Sequence, residues 1–446
     1  MQTILLLGSG KSSTYLIDFL ADQAKSKNRK LILADIDLDS AQTKLRSRAN
    51  TEAVKLDTKN DGKLADLISS CDVVISMLPA FLHPKVAQLA LEQEKHFFSA
   101  SYESPELKEM ATKIKESNLF FLNECGLDPG IDHMSAMKII DEAKQSGERI
   151  LSFKSFCGGL LTPEHENNPW KYKFTWNPRN VVLAGQGTSR YIEQGRLKFV
   201  PYHKLFTRID QFEFDEIGSY EGYPNRDSLS YRKVYGLEDI PTMRRGTLRR
   251  VGFTKAWDIF VQLGLTEDHY EVTLPEDFCM RDFFNTFLPY DPSRTVEEKL
   301  GDIFPALDFP TFEKIQWLGL FSTDPVPMRT GSPAQILQKI LEKSWTLDPN
   351  DRDMIVMQHK FEIETHEGSK EVISSLVCKG EDSVYTAMAK TVGLPLAIAV
   401  DKFMDGEISL TGLHVPVIPE IYQPILRALE GYGIEFKEKM TISDPS

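Results

Sequence analysis

Residues 3–10 read Thr-Ile-Leu-Leu-Leu-Gly-Ser-Gly, and the fold turns on this stretch. The apolar run at residues 3–7 predicts a strand, and a helical pattern follows over residues 12–24. Between them, Gly8 and Gly10 let backbone N–H groups approach a pyrophosphate at the helix N-terminus. Gly8, Ser9, Gly10, Lys11, Ser12 and Ser13 are therefore the candidate cofactor turn. Ser13 stands where the dinucleotide fingerprint has its third glycine, and it is small enough for close helix–strand packing. A tight strand–helix turn without a ligand is the other reading of the same residues. Gly10-Lys11-Ser12 also resembles the end of a P-loop, but Leu5 occupies the position where that motif needs glycine.

The next strand, residues 31–34, ends at Asp35. A carboxylate there accepts a hydrogen bond from a ribose 2′-hydroxyl and repels a 2′-phosphate. Ile36 and Asp37 follow it, not arginine, so NAD is expected in preference to NADP. An exposed strand-end acid in a turn is the alternative.

Outward from this unit, strands are expected at residues 54–56, 72–79, 96–100 and 119–123, and helices at residues 84–93 and 104–117. Such alternation means α/β: a Rossmann-like, doubly wound parallel sheet. Leu78-Pro79, Ser99 to Tyr102 and the run from Asn123 to His133 end strands on the carboxyl edge, where such sheets bind ligands. Asp128-Pro129 also reads as a helix N-cap with proline at the first helical position, opening a helix at residues 131–144 that contains His133.

Beyond Asp128 the texture changes. Residues 150–156 alternate like a strand, 162–178 read as loop, and 229–345 carry mostly helical patterns. Residues 354–364 and 371–379 alternate like an antiparallel pair; 410–414 are apolar and proline-flanked; helices are expected at 383–391 and 421–429. The expected organisation is a dinucleotide-binding domain at residues 1–128, completed by C-terminal helices at 383–446. A second α/β domain with a mixed sheet spans 129–382, with a helical subdomain inserted at 229–345.

The 446 residues are 41% hydrophobic and 26% charged, enough to bury a real core. A net charge of −13 argues against a nucleic-acid partner. Five cysteines with no CxxC pair suggest neither a zinc site nor a disulfide framework, and no metal is expected. The apolar run at the start is too short for a signal peptide or a membrane span, so a cytoplasmic location without membrane contact is expected.

Longer motifs occur in order: SYESP around Tyr102, NECGLDPGIDHM from Asn123, FCGGL from Phe156, YKFTW from Tyr172, GYPNRDS from Gly222 and RRGTLR from Arg244. Together they closely resemble the saccharopine reductase family, the glutamate-forming saccharopine dehydrogenases. The resemblance implies interconversion of saccharopine, NAD(P)+ and water with L-glutamate, 2-aminoadipate 6-semialdehyde and NAD(P)H. It implies a homodimer, and a substrate site in which Arg226 grips a carboxylate and Thr247 is a second anchor. Ser101, Tyr102, Asp128, Cys157 and Phe174 match further substrate-contacting positions, with Tyr102 and Asp128 best placed for proton transfers. Cys157 has no histidine near it in sequence and is expected to be a pocket wall, not a nucleophile. The arginine that NADP-using members carry after the second strand is replaced here by Asp35-Ile36. A related dehydrogenase acting on a polyamine, of the carboxyspermidine type, and a non-catalytic NAD-binding protein are the alternatives; Arg226 with Thr247 argues against the first.

Overall fold

The computed structural model describes Met1–Ala184, Gln186–Asn225 and Asp227–Ser443. The chain forms two compact units. The first comprises Met1–Ile150, Ile363–Lys370 and Leu376–Ser446; the second comprises Leu151–Glu362 and Glu371–Ser375.

The first unit is built on strands β1 (Gln2–Leu7), β2 (Arg29–Asp35), β3 (Thr51–Lys55), β4 (Val73–Ser76), β5 (His96–Ser99) and β6 (Phe120–Leu122). A seventh strand, Gly412–His414, lies beside β6, and the sheet order is Gly412–His414, β6, β5, β4, β1, β2, β3. Every pair is parallel. The strands are apolar on both faces because helices cover both: Leu5, Leu7, Val74, Phe97 and Phe121 sit in one buried cluster under Val86, Ala90, Leu107 and Ile114. Strand order turns outward on either side of β1, which opens a crevice at the carboxyl ends of β1 and β4. The helix Ala387–Met404 crosses the helix Thr14–Ser26 at Gly393, where a Cβ would come within 3.0 Å of the Leu16 nitrogen. The apolar stretch at residues 410–414 thus supplies an edge strand of this sheet. Three residues are too few to show a period, and only pairing with β6 defines them.

The second unit carries β7 (Arg149–Leu161), β8 (Ser189–Glu193), β9 (Arg196–Val200), β10 (Asp210–Phe214), β11 (Gly218–Pro224) and β12 (Thr242–Arg250). The order β10–β11–β12–β7 continues to the strand Asp353–Thr365. β10, β11 and β12 pair antiparallel, and β12 pairs parallel with β7, so the sheet is mixed. β12 falls inside the stretch expected to be mostly helical. Its sequence, TMRRGTLRR, has no clear helical or strand period, and its pairing between β11 and β7 makes it a strand. The helices of that region are Tyr231–Val234, Phe253–Leu263, Met280–Asn285, Val296–Ile303, Phe309–Trp317 and Pro333–Trp345. No helix among the described residues is long and apolar enough to cross a membrane.

Candidate active site

The Gly-rich turn follows from β1 directly. Gly8 has φ +101°, a conformation that favours glycine, and a Cβ there would meet the Met77 carbonyl oxygen at 2.9 Å. Gly10 caps the short helical turn Lys11–Ser13, and a Cβ at Gly10 would meet nothing within 4 Å. Open space above a helix start leaves room for a pyrophosphate at the free N–H groups. Ser13 takes the third-glycine position by folding its hydroxyl back: Oγ donates to the Gly10 carbonyl at 2.7 Å, as Lys44 Nζ also does at 2.6 Å.

Asp35 ends β2 beside this turn. The Ser9 N–H and hydroxyl donate to its Oδ2 at 2.6 and 2.9 Å, and the Asp37 N–H donates to Oδ1 at 2.8 Å. Partial burial works to raise its pKa, but the donated N–H groups of Asp37 and Ser9 and the Ser9 hydroxyl outweigh that and hold the carboxyl below the usual value. Asp35 is therefore a fixed carboxylate at the turn. Ile36 beside it is 64% exposed, and Pro79, after Leu78, is exposed at the end of β4.

At the next strand ends, the Tyr102 hydroxyl donates to Asp128 Oδ1 at 3.4 Å, joining positions far apart in sequence. Asp128 is not the N-cap of the following helix. That helix begins at Ile131 with Gly130 at the cap, and the Asp132 carboxylate accepts the Gly130 N–H at 2.6 Å. The Asp128–Pro129 peptide is cis, and Pro129 precedes the helix. Glu124 at the end of β6 brackets Tyr102. Its N–H donates to the Ser101 carbonyl at 3.0 Å, and its Oε1 accepts the Glu103 N–H at 3.0 Å. Its Oε2 lies 2.9 Å from Nε2 of the fully buried His133. Sequence reasoning assigned Glu124 no part; its positive φ of 56° is a tertiary feature that no local pattern announces.

In the second unit, strand register gathers the anchors. Thr247 of β12 stands opposite Cys157 of β7 on one side and Tyr223 of β11 on the other, so the three share a face. Arg249, two residues along β12, is on the same face, 3% exposed, with its guanidinium 4.9 Å from the Tyr172 ring and 5.3 Å from the Phe253 ring. Its Nη1 donates to the Leu248 carbonyl at 2.8 Å, and its Nε has no partner among the described residues. Arg249 makes no ion pair among the described residues; the carboxylate of its cross-strand neighbour Glu221 accepts the Thr254 N–H at 2.6 Å instead. The Tyr172 hydroxyl is likewise buried; burial pushes that phenol up, and the Arg249 charge works against the rise. Phe174 is 5% exposed and packs against Tyr172 and Trp345 in an aromatic cluster, with its N–H donating to the Trp345 carbonyl at 2.7 Å. Cys157 is buried at 7% exposure. Arg226 lies outside the described residues. The turn, Asp35, Ser101, Tyr102 and Asp128 belong to the first unit, and Cys157, Phe174 and Thr247 to the second. No cluster of three or more His, Cys, Asp or Glu among the described residues is arranged to hold a metal ion.

Residues 4–122 match the family model "Saccharopine dehydrogenase NADP binding domain", and residues 126–434 match "Saccharopine dehydrogenase C-terminal domain". Saccharopine dehydrogenase [NADP(+), L-glutamate-forming] of Saccharomyces cerevisiae is 35% identical over 98% of this chain and 99% of its own length. The mitochondrial alpha-aminoadipic semialdehyde synthase of Mus musculus is 36% identical over 98% of this chain but 48% of its own length, so this chain spans about half of that relative. Among solved structures, apo saccharopine dehydrogenase (L-Glu forming) from Saccharomyces cerevisiae matches with TM-score 0.89 and 34% identity, covering 99% of this chain and 100% of that one.

Proposed function

Since the chain belongs to the saccharopine dehydrogenase family, we propose that it is an oxidoreductase acting on a CH–NH donor in lysine metabolism. It interconverts saccharopine, NAD(P)+ and water with L-glutamate, 2-aminoadipate 6-semialdehyde and NAD(P)H. The observation that carries this reading is Arg249, a buried guanidinium with an unpartnered Nε on the Thr247–Cys157 face and no carboxylate within ion-pair reach among the described residues. An unneutralised buried cation is costly, and a ligand carboxylate offsets that cost. Saccharopine brings three carboxylates. Arg226, Thr247 and Arg249 serve as their anchors, with Cys157 and Phe174 as walls.

The dinucleotide, when bound, supplies the hydride acceptor. The residues present fit it: an open Gly10, a Gly8 at a φ that favours glycine and a fixed carboxylate at Asp35. Asp35 favours NAD over NADP, because a 2′-phosphate would meet the negative charge of a carboxylate that the Ser9 and Asp37 N–H groups hold ionised. Oxidation of the carbon bearing the secondary amine leaves an imine that water opens to aldehyde and amine. Tyr102 and Asp128, hydrogen-bonded to each other, hold or move protons at that nitrogen and water. The chain acts as a cytoplasmic homodimer, closed two-fold pairing being the commonest soluble assembly.

Absorbance at the reduced-nicotinamide wavelength, with saccharopine and NAD+ or NADP+, tests the reading. Turnover is expected with saccharopine and none with carboxyspermidine; no reduction of either dinucleotide by saccharopine would overturn it.

A further inference from the structure

Three side chains form a line at the carboxyl edge of the first sheet. Ser76 ends β4, Ser101 follows β5, and His83 opens the helix His83–Glu92 between them. His83 Nδ1 is 2.8 Å from Ser76 Oγ, and Nε2 is 2.8 Å from Ser101 Oγ. Ser76 is 1% exposed and His83 3%. Burial lowers the His83 pKa to about 4.

The direction of these bonds follows from counting hydrogens. The Ser76 hydroxyl has one hydrogen and, among the described residues, no side-chain partner but Nδ1. Were Nδ1 protonated, in the other tautomer or the imidazolium, the Ser76 hydrogen would be buried without an acceptor, which is the expensive arrangement. Ser76 therefore donates to Nδ1. The imidazole carries its hydrogen on Nε2 and donates it to Ser101 Oγ. The Ser101 hydroxyl hydrogen is then claimed by no acceptor among the described residues. Its backbone is pinned as well, since the Ser101 N–H donates to Ser99 Oγ at 3.1 Å.

We propose that His83 is a positioning residue: held by Ser76 as the Nε2–H tautomer, it makes the Ser101 hydroxyl an obligate hydrogen donor toward a carboxylate oxygen of the substrate. The opposite polarity would make Ser101 an acceptor, suited to an ammonium. The substrate half of this proposal rests on the dehydrogenase reading above.

Two measurements test it. Long-range ¹⁵N–¹H spectra of the ligand-free protein labelled in histidine report the tautomer, with the His83 signal identified by its loss in His83→Gln or, should that variant not fold, His83→Asn. The expected result is a neutral ring with Nδ1 unprotonated; a Nδ1–H tautomer or an imidazolium at pH 7 overturns the relay. The second is a double-mutant cycle. Ser101→Ala should raise KM for saccharopine by about tenfold or more while the Kd for NAD+ stays within about twofold. His83→Gln should raise KM by less, and the double variant should be no worse than Ser101→Ala alone. Effects that multiply, or a loss confined to NAD+ binding, overturn the proposal. No turnover of saccharopine by the wild type would be a failure of the dehydrogenase reading alone, and the tautomer, measured without ligand, would still decide the relay.

Discussion

The Ser9 backbone N–H donates to Asp35 Oδ2 at 2.6 Å, tying the middle of the glycine turn to the end of the second strand. The bond joins the turn proposed to hold the phosphates to the acid proposed to contact the ribose. The Asp37 N–H donates to the other carboxylate oxygen.

On the proposed reading, that arrangement favours NAD(H). Wild-type kcat/KM is expected to be higher with NAD(H) than with NADP(H), and Asp35→Ala with Ile36→Arg should move the preference toward NADP(H), since the repelling charge is gone and a phosphate partner is gained. Steady-state kinetics with both cofactors check this; a wild type that favours NADPH contradicts the role given to Asp35. The carboxyl is held below its usual value, so the discrimination should persist down to mildly acidic pH.

Gly8→Ala should abolish dinucleotide binding and destabilise the first unit. A methyl group there adds strain at φ +101° and lies 2.9 Å from the Met77 carbonyl, a backbone atom that cannot swing away. Strain of this kind costs on the order of 1–3 kcal/mol. A drop in melting temperature with loss of NAD+ binding is the expected pair of results; Gly10→Ala, whose Cβ has space, should lose binding with little change in stability.

Arg249→Met should raise KM for saccharopine strongly while leaving NAD+ affinity nearly unchanged, because the glycine turn belongs to the other unit. Loss of one member of a buried charge pair costs roughly 2–5 kcal/mol, about thirty- to several-thousand-fold in binding. Arg249→Lys should recover only part, since the planar fork and the stacking on Tyr172 and Phe253 are lost. Arg226→Ala is the companion test. If only Arg226→Ala changes KM, Arg249 is a packing residue and not a carboxylate anchor.

Acid stability should reflect the cluster in which Arg29, 3% exposed, bonds Asp401 at 2.7 Å and Asp405 at 2.6 Å, with Lys27 bonding both. Burial works to raise the Asp405 pKa, but Lys27 and Arg29 outweigh it and the carboxyl lies below its usual value. A depressed folded pKa contributes stability that is present above the unfolded value, about 3.9, and is lost as pH falls through the lower folded value. Burial likewise works to lower Lys27, but its bonds to Asp401 and Asp405 outweigh it and raise the pKa. That contribution is present below the unfolded lysine value and is lost only as pH rises beyond it. Asp405→Asn should therefore lower the melting temperature at pH 7 and leave it nearly unchanged near pH 2. An equal drop at both pH values would show that the charge contributes nothing.

The strand–turn–helix opening of the chain was legible from residues 3–35 because its determinants are local: an apolar run, two glycines, a helical period and a strand-end acid. The alternation behind it announced the parallel sheet for the same reason. Tertiary structure alone decided which residues meet. Gly412–His414 is a strand only because β6 offers it an edge, and Thr242–Arg250 is a strand only because β11 and β7 flank it. That pairing puts Thr247 between Cys157 and Tyr223, and it buries Arg249 among aromatic rings contributed from three separate segments. Asp128 read as a helix cap because Asp-Pro has that meaning locally, yet the helix starts at Ile131 once the Asp132 carboxylate takes the Gly130 N–H. His83 carried no signal at all, since its meaning lies in two hydroxyls on different strand ends, each 2.8 Å away. Local propensity and period act over a few residues and can be read along the chain. Cross-strand register, burial of a charge and the polarity of a hydrogen-bond line are set by long-range closure, and they exist only once the chain has folded.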